Sequence, residues 1–172
     1  MSSFTKPLIL EYGLRGDEPV YKLVETFEYY TFEVMYSHQG DMFYPFTDPF
    51  FRRNTYSTPF IITVPKGFVT NFASIPKIFH SILTPDGVHG KAAVIHDKLY
   101  GDIKRDFKDN LLQCTSWTDM VIAQEFMEQS KLLSDKIFVE AMDVLKVKPW
   151  KKSIMFTMLR LFGFSAILTG GK

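Results

Sequence analysis

The sequence predicts an α+β fold in which a small N-terminal antiparallel β-sheet is followed by a C-terminal helical layer. Residues 21–36 are rich in aromatic and β-branched side chains whose polarity partly alternates, which is typical of half-buried strands. From Ala73 onward, apolar residues recur at helical spacing instead. A length of 172 residues suits one domain with its own core. We therefore expect a single domain over 1–172, mainly β in 1–72 and mainly α in 73–172.

The N-terminal strands are predicted from short local patterns. Residues 21–36 fit one long strand or two short ones, whereas residues 44–59 contain three prolines, which favours an irregular loop. The segments FIITV and GFVTNF flank Pro65-Lys66. This pattern predicts a tight hairpin, with Gly67 free to take a positive φ in the turn.

The chain after Ala73 predicts short helices at first. Ser74 suits the N-cap of a helix over 74–83, and a second helix is expected from Lys91 to about Tyr100. Charges of both signs alternate over residues 102–116, which favours a solvated excursion.

A capping box predicts the next helix. Ser116 is followed three residues later by Asp119, so the helix begins there. It either ends before a new cap at Ser130 or continues through residues 132–145.

Pro149 predicts the start of the last helix, whose apolar stretch is 15 residues long. About 20 residues are needed to span a bilayer, so we expect no transmembrane span. Four side chains should instead pack on the domain or on a partner chain: Trp150, Ile154, Leu161 and Phe162.

Composition excludes several classes of protein. With 46% hydrophobic residues the chain is globular, and a net charge of +1 carries no specific nucleic-acid signal. The single cysteine, Cys114, permits neither an intramolecular disulfide nor a zinc site built from cysteines. The first residues lack the pattern of a signal peptide, so we expect synthesis and folding in a reducing cytoplasm.

Two polar residues are predicted to lie on core-facing helical stripes. His96 shares its stripe with Ala92, Ile95 and Leu99, and Asp135 lies among apolar residues of the later helix. An unpaired buried carboxylate costs several kcal/mol, so the two groups are expected to meet. Such a contact fixes the imidazole tautomer, as a general base requires, but an inert buried pair is the commoner case.

Three separated motifs resemble one uncharacterised family of tailed bacteriophages and prophages, domain of unknown function thirteen fifty-three. They are VPKGFVTNFASIP, KAAVIHDKLYG and SDKIFVEAMDVLKVKPWKKSIMFTMLRLFG. Relative to that family, residues 102–129 look like an insertion, and Asn71 stands where aspartate is usual. The resemblance implies other phage proteins as partners, synthesis in the host cytoplasm and incorporation in the virion.

The His-Asp-x-x-Tyr motif is also similar to the core of phospholipase A2. That likeness implies His96 as the base, Asp135 as its orienting group and Tyr100 as a supporting donor. It implies calcium held by Asp97, with Asn71 beside it, and a lipid or cell-envelope substrate. Phospholipases use a glycine-rich calcium loop, whereas the segment upstream of this motif, from Gly67 to Pro76, has one glycine.

Protein–protein interfaces are enriched in the residue types found at Phe50, Phe51 and Arg52, and again at Trp150. We therefore expect an interaction surface at these positions. Two functions are therefore expected. The first is a phage virion or assembly component acting through protein–protein contacts, without a cofactor, since the calcium loop is missing. A His/Asp-dependent hydrolase that uses calcium remains the alternative.

Overall fold

A computed structural model describes residues 2–32, 35–36, 42–43, 60–72 and 87–169. Antiparallel strands precede helices in this part of the chain, which confirms the α+β prediction. The strands are β1 (Ser3–Phe4), β2 (Leu10–Arg15), β3 (Glu18–Leu23), β4 (Phe27–Thr31), β5 (Met35–Tyr36), β6 (Met42–Phe43), β7 (Phe60–Val64) and β8 (Val69–Thr70). The helices are α1 (Gly90–Gln113), α2 (Trp117–Val144) and α3 (Pro149–Thr169).

Six of the described strands form two small sheets of three, in the orders β1-β4-β7 and β2-β3-β8, and β5 pairs with β6. Strands β2 and β3 make a two-residue hairpin in which Arg15 pairs with Glu18. Gly16 has φ +63° there, a conformation that glycine adopts without steric cost. The predicted loop at 44–59 and the predicted helix at 74–83 lie outside the described residues.

The predicted hairpin around Pro65 is wrong, although its turn is present. Gly67 has the expected positive φ, +87°, but β7 pairs with β4 while β8 pairs with β3. The reason is a competing partner: Gly67 N donates to Leu23 O and Leu23 N donates to Phe68 O, both at 2.8 Å. The chain therefore crosses from one sheet to the other at this turn.

The predicted solvated excursion at 102–116 is also wrong, because α1 continues to Gln113. The charges that suggested a loop are spaced for ion pairs along one helix. Lys98 Nζ lies 2.5 Å from Asp102 Oδ2, and Arg105 Nη1 lies 3.4 Å from Asp102 Oδ1. Lys98 and Asp102 are both buried, as is Asp106.

The predicted capping box at the start of α2 is confirmed. Ser116 Oγ accepts a hydrogen bond from Asp119 N at 3.1 Å, and Asp119 Oδ2 accepts one from Ser116 N at 2.9 Å. A backbone hydrogen bond from Thr115, together with side-chain and backbone hydrogen bonds from Ser116, lowers the pKa of Asp119. Beyond this cap α2 is one continuous helix, the second of the two alternatives, and α3 begins at Pro149 as expected.

The core lies between the sheets and the helices. Alternate residues of β4 point inward, so Phe27 and Tyr29 are buried while their neighbours are half-buried. Glu140 of α2 joins the layers by accepting from Thr31 Oγ1 at 2.5 Å. Within the described residues, no helix is both long and apolar enough to cross a bilayer.

Candidate functional site

His96 and Asp135 meet between α1 and α2, as the shared apolar stripes predict. His96 Nε2 lies 3.2 Å from Asp135 Oδ1, and both side chains are fully buried. The stripe around His96 is buried too, including Ile95 and Leu99. The predicted contact between the two side chains is therefore confirmed.

Asp135 accepts from more donors than the sequence suggested, and they occupy both of its oxygens. The expected Tyr100 hydroxyl donates to Oδ1 at 2.7 Å. Lys131 Nζ donates to Oδ2 at 3.0 Å, and Arg160 Nη1 of α3 lies 3.4 Å from the same oxygen. The centre therefore gathers two cations, a phenol and an imidazole around one carboxylate.

The charge state of Asp135 decides the direction of these hydrogen bonds. Burial acts to raise its pKa and is the largest single cause, but the hydrogen bond and charge interaction with His96 act to lower it. The Tyr100 hydrogen bond and the charge of Lys131 add to this, and the pKa of Asp135 ends below its ordinary value. An ionised carboxylate can only accept, so His96 Nε2 must carry the proton that it donates.

Tyr100 stays a neutral hydrogen-bond donor. Burial raises its pKa, and the neighbouring Asp135 carboxylate raises it further because a phenolate there would face a like charge. Tyr100 also lies against the imidazole, with ring centroids 4.0 Å apart, and Phe138 lies 5.0 Å away. The two aromatic rings limit the reorientation of His96.

The cations connect α3 to the centre. Lys131 donates to the carbonyl oxygen of Leu159 at 3.3 Å as well as to Asp135, and its side chain is 6% exposed. Arg160 reaches the same carboxylate from a side chain that is 46% exposed. Sequence reasoning missed both residues. Lys131 was detectable because it precedes Asp135 by four positions on one helix, whereas the pairing of Arg160 depends on tertiary packing.

Asp97 and Asn71, the two residues expected to hold calcium, both lie near Thr70. Asp97 Oδ2 accepts a hydrogen bond from the Thr70 hydroxyl, which in turn accepts from Phe72 N at 3.1 Å. Asn71 is exposed beside this contact. Calcium takes six to eight oxygens, and no group of three or more His, Cys, Asp or Glu among the described residues could share a metal ion. We assign no step to a metal.

The structure describes only some of the residues that were predicted to form an interaction surface or to pack from the last helix. Phe50, Phe51 and Arg52 lie outside the described residues, so that prediction stays untested. Trp150 is 48% exposed and Leu161 is more exposed still, while Ile154 packs against the core. Packing of α3 on its own domain is thus confirmed for Ile154, whereas the side chain of Phe162 lies outside the described part of the chain.

A shallow pocket lies away from His96, in the groove between α2 and α3. Its volume is about 560 Å³. Four charged side chains, two apolar ones and a serine line it: Lys136, Glu140, Asp143, Lys152, Val139, Phe156 and Ser153. None of the residues of the His96 centre is among them.

One protein-family model matches the part of the chain that contains most of this centre. The family described as "Protein of unknown function (DUF1353)" matches residues 48–159, more than half of the chain. The chain belongs to the DUF1353 family. No curated protein and no solved structure matches the chain. His96, Tyr100, Lys131 and Asp135 all fall inside the DUF1353 match, and Arg160 is the next residue after it.

Proposed function

We propose that the protein is a bacteriophage component, of the virion or of its assembly, that acts through contacts with other proteins. The observation that carries this proposal is a cluster of exposed apolar side chains at the end of the α1–α2 hairpin. We call residues 109–130 the hairpin end; they include the last turn of α1, the connection and the first half of α2. Its exposed apolar residues are Leu111, Leu112, Trp117, Met120, Val121 and Ile122.

The exposure of the hairpin end is large for side chains of this kind. Leu112 is 77% exposed, Trp117 is 78% exposed and Ile122 is 60% exposed. Scattered apolar residues are ordinary on a surface, but a cluster within about two helical turns of one connection is typical of an interaction site. Tryptophan is also enriched among the residues that contribute most to binding energy.

The burial of His96 supports the same reading. A catalytic base must reach its substrate, whereas His96 is fully enclosed and its aspartate partner already accepts from Lys131 and Arg160. A network of this kind holds three helices together, so the hairpin end is supported by a stable helical layer. The resemblance of the motifs to tailed-phage and prophage sequences supports the setting, with synthesis in the host cytoplasm and other phage proteins as partners.

Complementation tests this proposal in a phage whose own copy of the gene has been deleted. Wild-type protein should restore the yield of complete particles, and Leu112→Ser with Trp117→Ser should not, although the variant still folds. Leu14→Ser is the matched control, since Leu14 is 64% exposed on β2. Full yield with the double variant, or without the protein at all, would overturn the proposal.

A second candidate function is hydrolysis of lipid or cell-envelope material. The arrangement of His96, Asp135 and Tyr100 favours it, because the imidazole is held in one tautomer by a carboxylate that a phenol also supports. Phospholipid vesicles with and without calcium test it, with His96→Gln as the inactive variant. Release of fatty acid that His96→Gln abolishes without lowering thermal stability would replace the first proposal by this one.

A further inference from the structure

We propose that the partner of the hairpin end is a second copy of this chain, which it contacts head to tail. This inference rests on the proposed function, and it specifies which protein binds the exposed surface. The surface it would meet is at the other end of α2, in residues 144–152, which we call the basic corner. The two surfaces carry opposite charge, and each of them exposes a tryptophan side chain.

The hairpin end is acidic as well as apolar. Residues 109–130 contain Asp109, Asp119, Glu125 and Glu128 and no lysine or arginine. At 100° per residue, Glu125 and Glu128 fall on the same face of α2 as Trp117. All three side chains are exposed, so carboxylates border the apolar cluster on one accessible face.

The basic corner is its electrostatic complement. Residues 144–152 contain four lysines and no acidic residue. Lys152 forms an ion pair with Asp143, which leaves Lys146, Lys148 and Lys151 as the excess charge. Lys151 Nζ lies 5.5 Å from the ring centre of Trp150, so an aromatic surface with a cation over it faces solvent here.

The macrodipole of α2 accounts for part of this charge distribution but not for the exposed apolar groups. Acidic residues near a helix N-terminus and basic residues beyond its C-terminus stabilise an isolated monomer. Exposure of Trp117 and Ile122 at one end and of Trp150 at the other brings the monomer no such benefit. Burial of these groups against a partner removes apolar area from water.

Geometry requires that the two surfaces meet between copies. The rise of 1.5 Å per residue separates Trp117 from Val144 by about 40 Å along one helix, so they cannot touch within a chain. Two hairpin ends would repel one another, as would two basic corners, so a symmetric dimer through either surface is disfavoured. A contact between unlike surfaces produces a ring if its rotation closes and a filament if it does not.

Reversing charges on the two surfaces gives a test with two variants, each of which should associate weakly alone but should associate with the other when they are mixed. The end variant combines Glu125→Lys with Glu128→Lys, and the corner variant combines Lys148→Glu with Lys151→Glu. Sedimentation velocity of the wild-type chain should show oligomers that grow with protein concentration and shrink in high salt. Each variant alone should associate more than about tenfold more weakly. An equal mixture should recover the wild-type oligomers, because in an alternating chain the reversed positions of one variant face the reversed positions of the other, and the unchanged surfaces face each other.

The control is a double reversal on exposed acids away from both surfaces, Glu11→Lys with Glu25→Lys, which should leave the oligomers unchanged. A wild-type chain that stays monomeric at every concentration overturns the inference, and so does a mixture that fails to recover oligomers. If the wild-type chain is monomeric while Leu112→Ser with Trp117→Ser still abolishes particle yield, the partner is another protein and the proposed function survives. If particle yield is also unaffected, both fail.

Discussion

Replacement of Asp135 by alanine should be strongly destabilising, because Asp135 is the acceptor on which four side chains depend. Asp135→Ala leaves Lys131 as a cation with a 6% exposed side chain and only the Leu159 carbonyl as a described acceptor. Arg160 is 46% exposed and can turn to solvent at little cost. Removal of one partner from a buried ion pair costs about 3–5 kcal/mol, a large share of the total of about 5–15 kcal/mol for a typical domain.

Urea unfolding near neutral pH measures this loss as a change in the free energy of unfolding. Asp143→Ala is the matched control on the same helix, since the Asp143 side chain is 56% exposed in its pair with Lys152 and such pairs contribute about 0–1 kcal/mol. The folded-state pKa of Asp135 is lowered, so its contribution is complete above about pH 4 and is lost as the pH falls through that lowered pKa. Equal, small losses for the two variants would refute the reasoning from burial.

Three further substitutions test separate parts of the account. Tyr100→Phe removes a hydrogen bond to a charged group and should cost about 1.5–3 kcal/mol. Because burial raises the pKa of Tyr100, its contribution is present below about pH 10 and lost above it, so Tyr100→Phe should lose less stability than wild type in alkaline urea titrations. Lys131→Met should cost less than Asp135→Ala, since Arg160 still neutralises the carboxylate; a greater cost in the same urea titration would contradict this. Ser116→Ala removes the N-cap of α2 and should cost about 0.5–2 kcal/mol, with faster amide hydrogen exchange confined to the hairpin end.

The parts of the fold that depend on local or periodic signals could be predicted from the sequence. The capping box at Ser116 and the turn at Gly67 involve only neighbouring residues. The contact of His96 with Asp135 could be predicted without an alignment because each sits in the middle of an apolar stripe, where an unpaired polar group is costly. The Tyr100 hydrogen bond could be predicted because Tyr100 lies one turn beyond His96 on the same helix.

The errors concern contacts between distant segments. Strands β7 and β8 have the local pattern of a hairpin, but β3 and β4 compete successfully for their backbone groups. Strand β2 gave no clear signal, since its inward pattern is weak and most of its residues are exposed. The extension of α1 was mistaken for a loop because its charges were counted as solvated, whereas Lys98 and Asp102 are buried as a pair.

Chemical modification of His96 tests most directly the claim that its centre is a closed structural network. A histidine-acylating reagent is added to the folded protein, and the modified fraction of His96 is followed by peptide mass spectrometry, with urea-unfolded protein as the reference. Because His96 is fully buried, we predict that it reacts only as fast as the protein opens, and faster in Asp135→Ala. Modification of His96 in the folded wild-type protein at the rate of the unfolded chain would contradict the account and favour an accessible catalytic site.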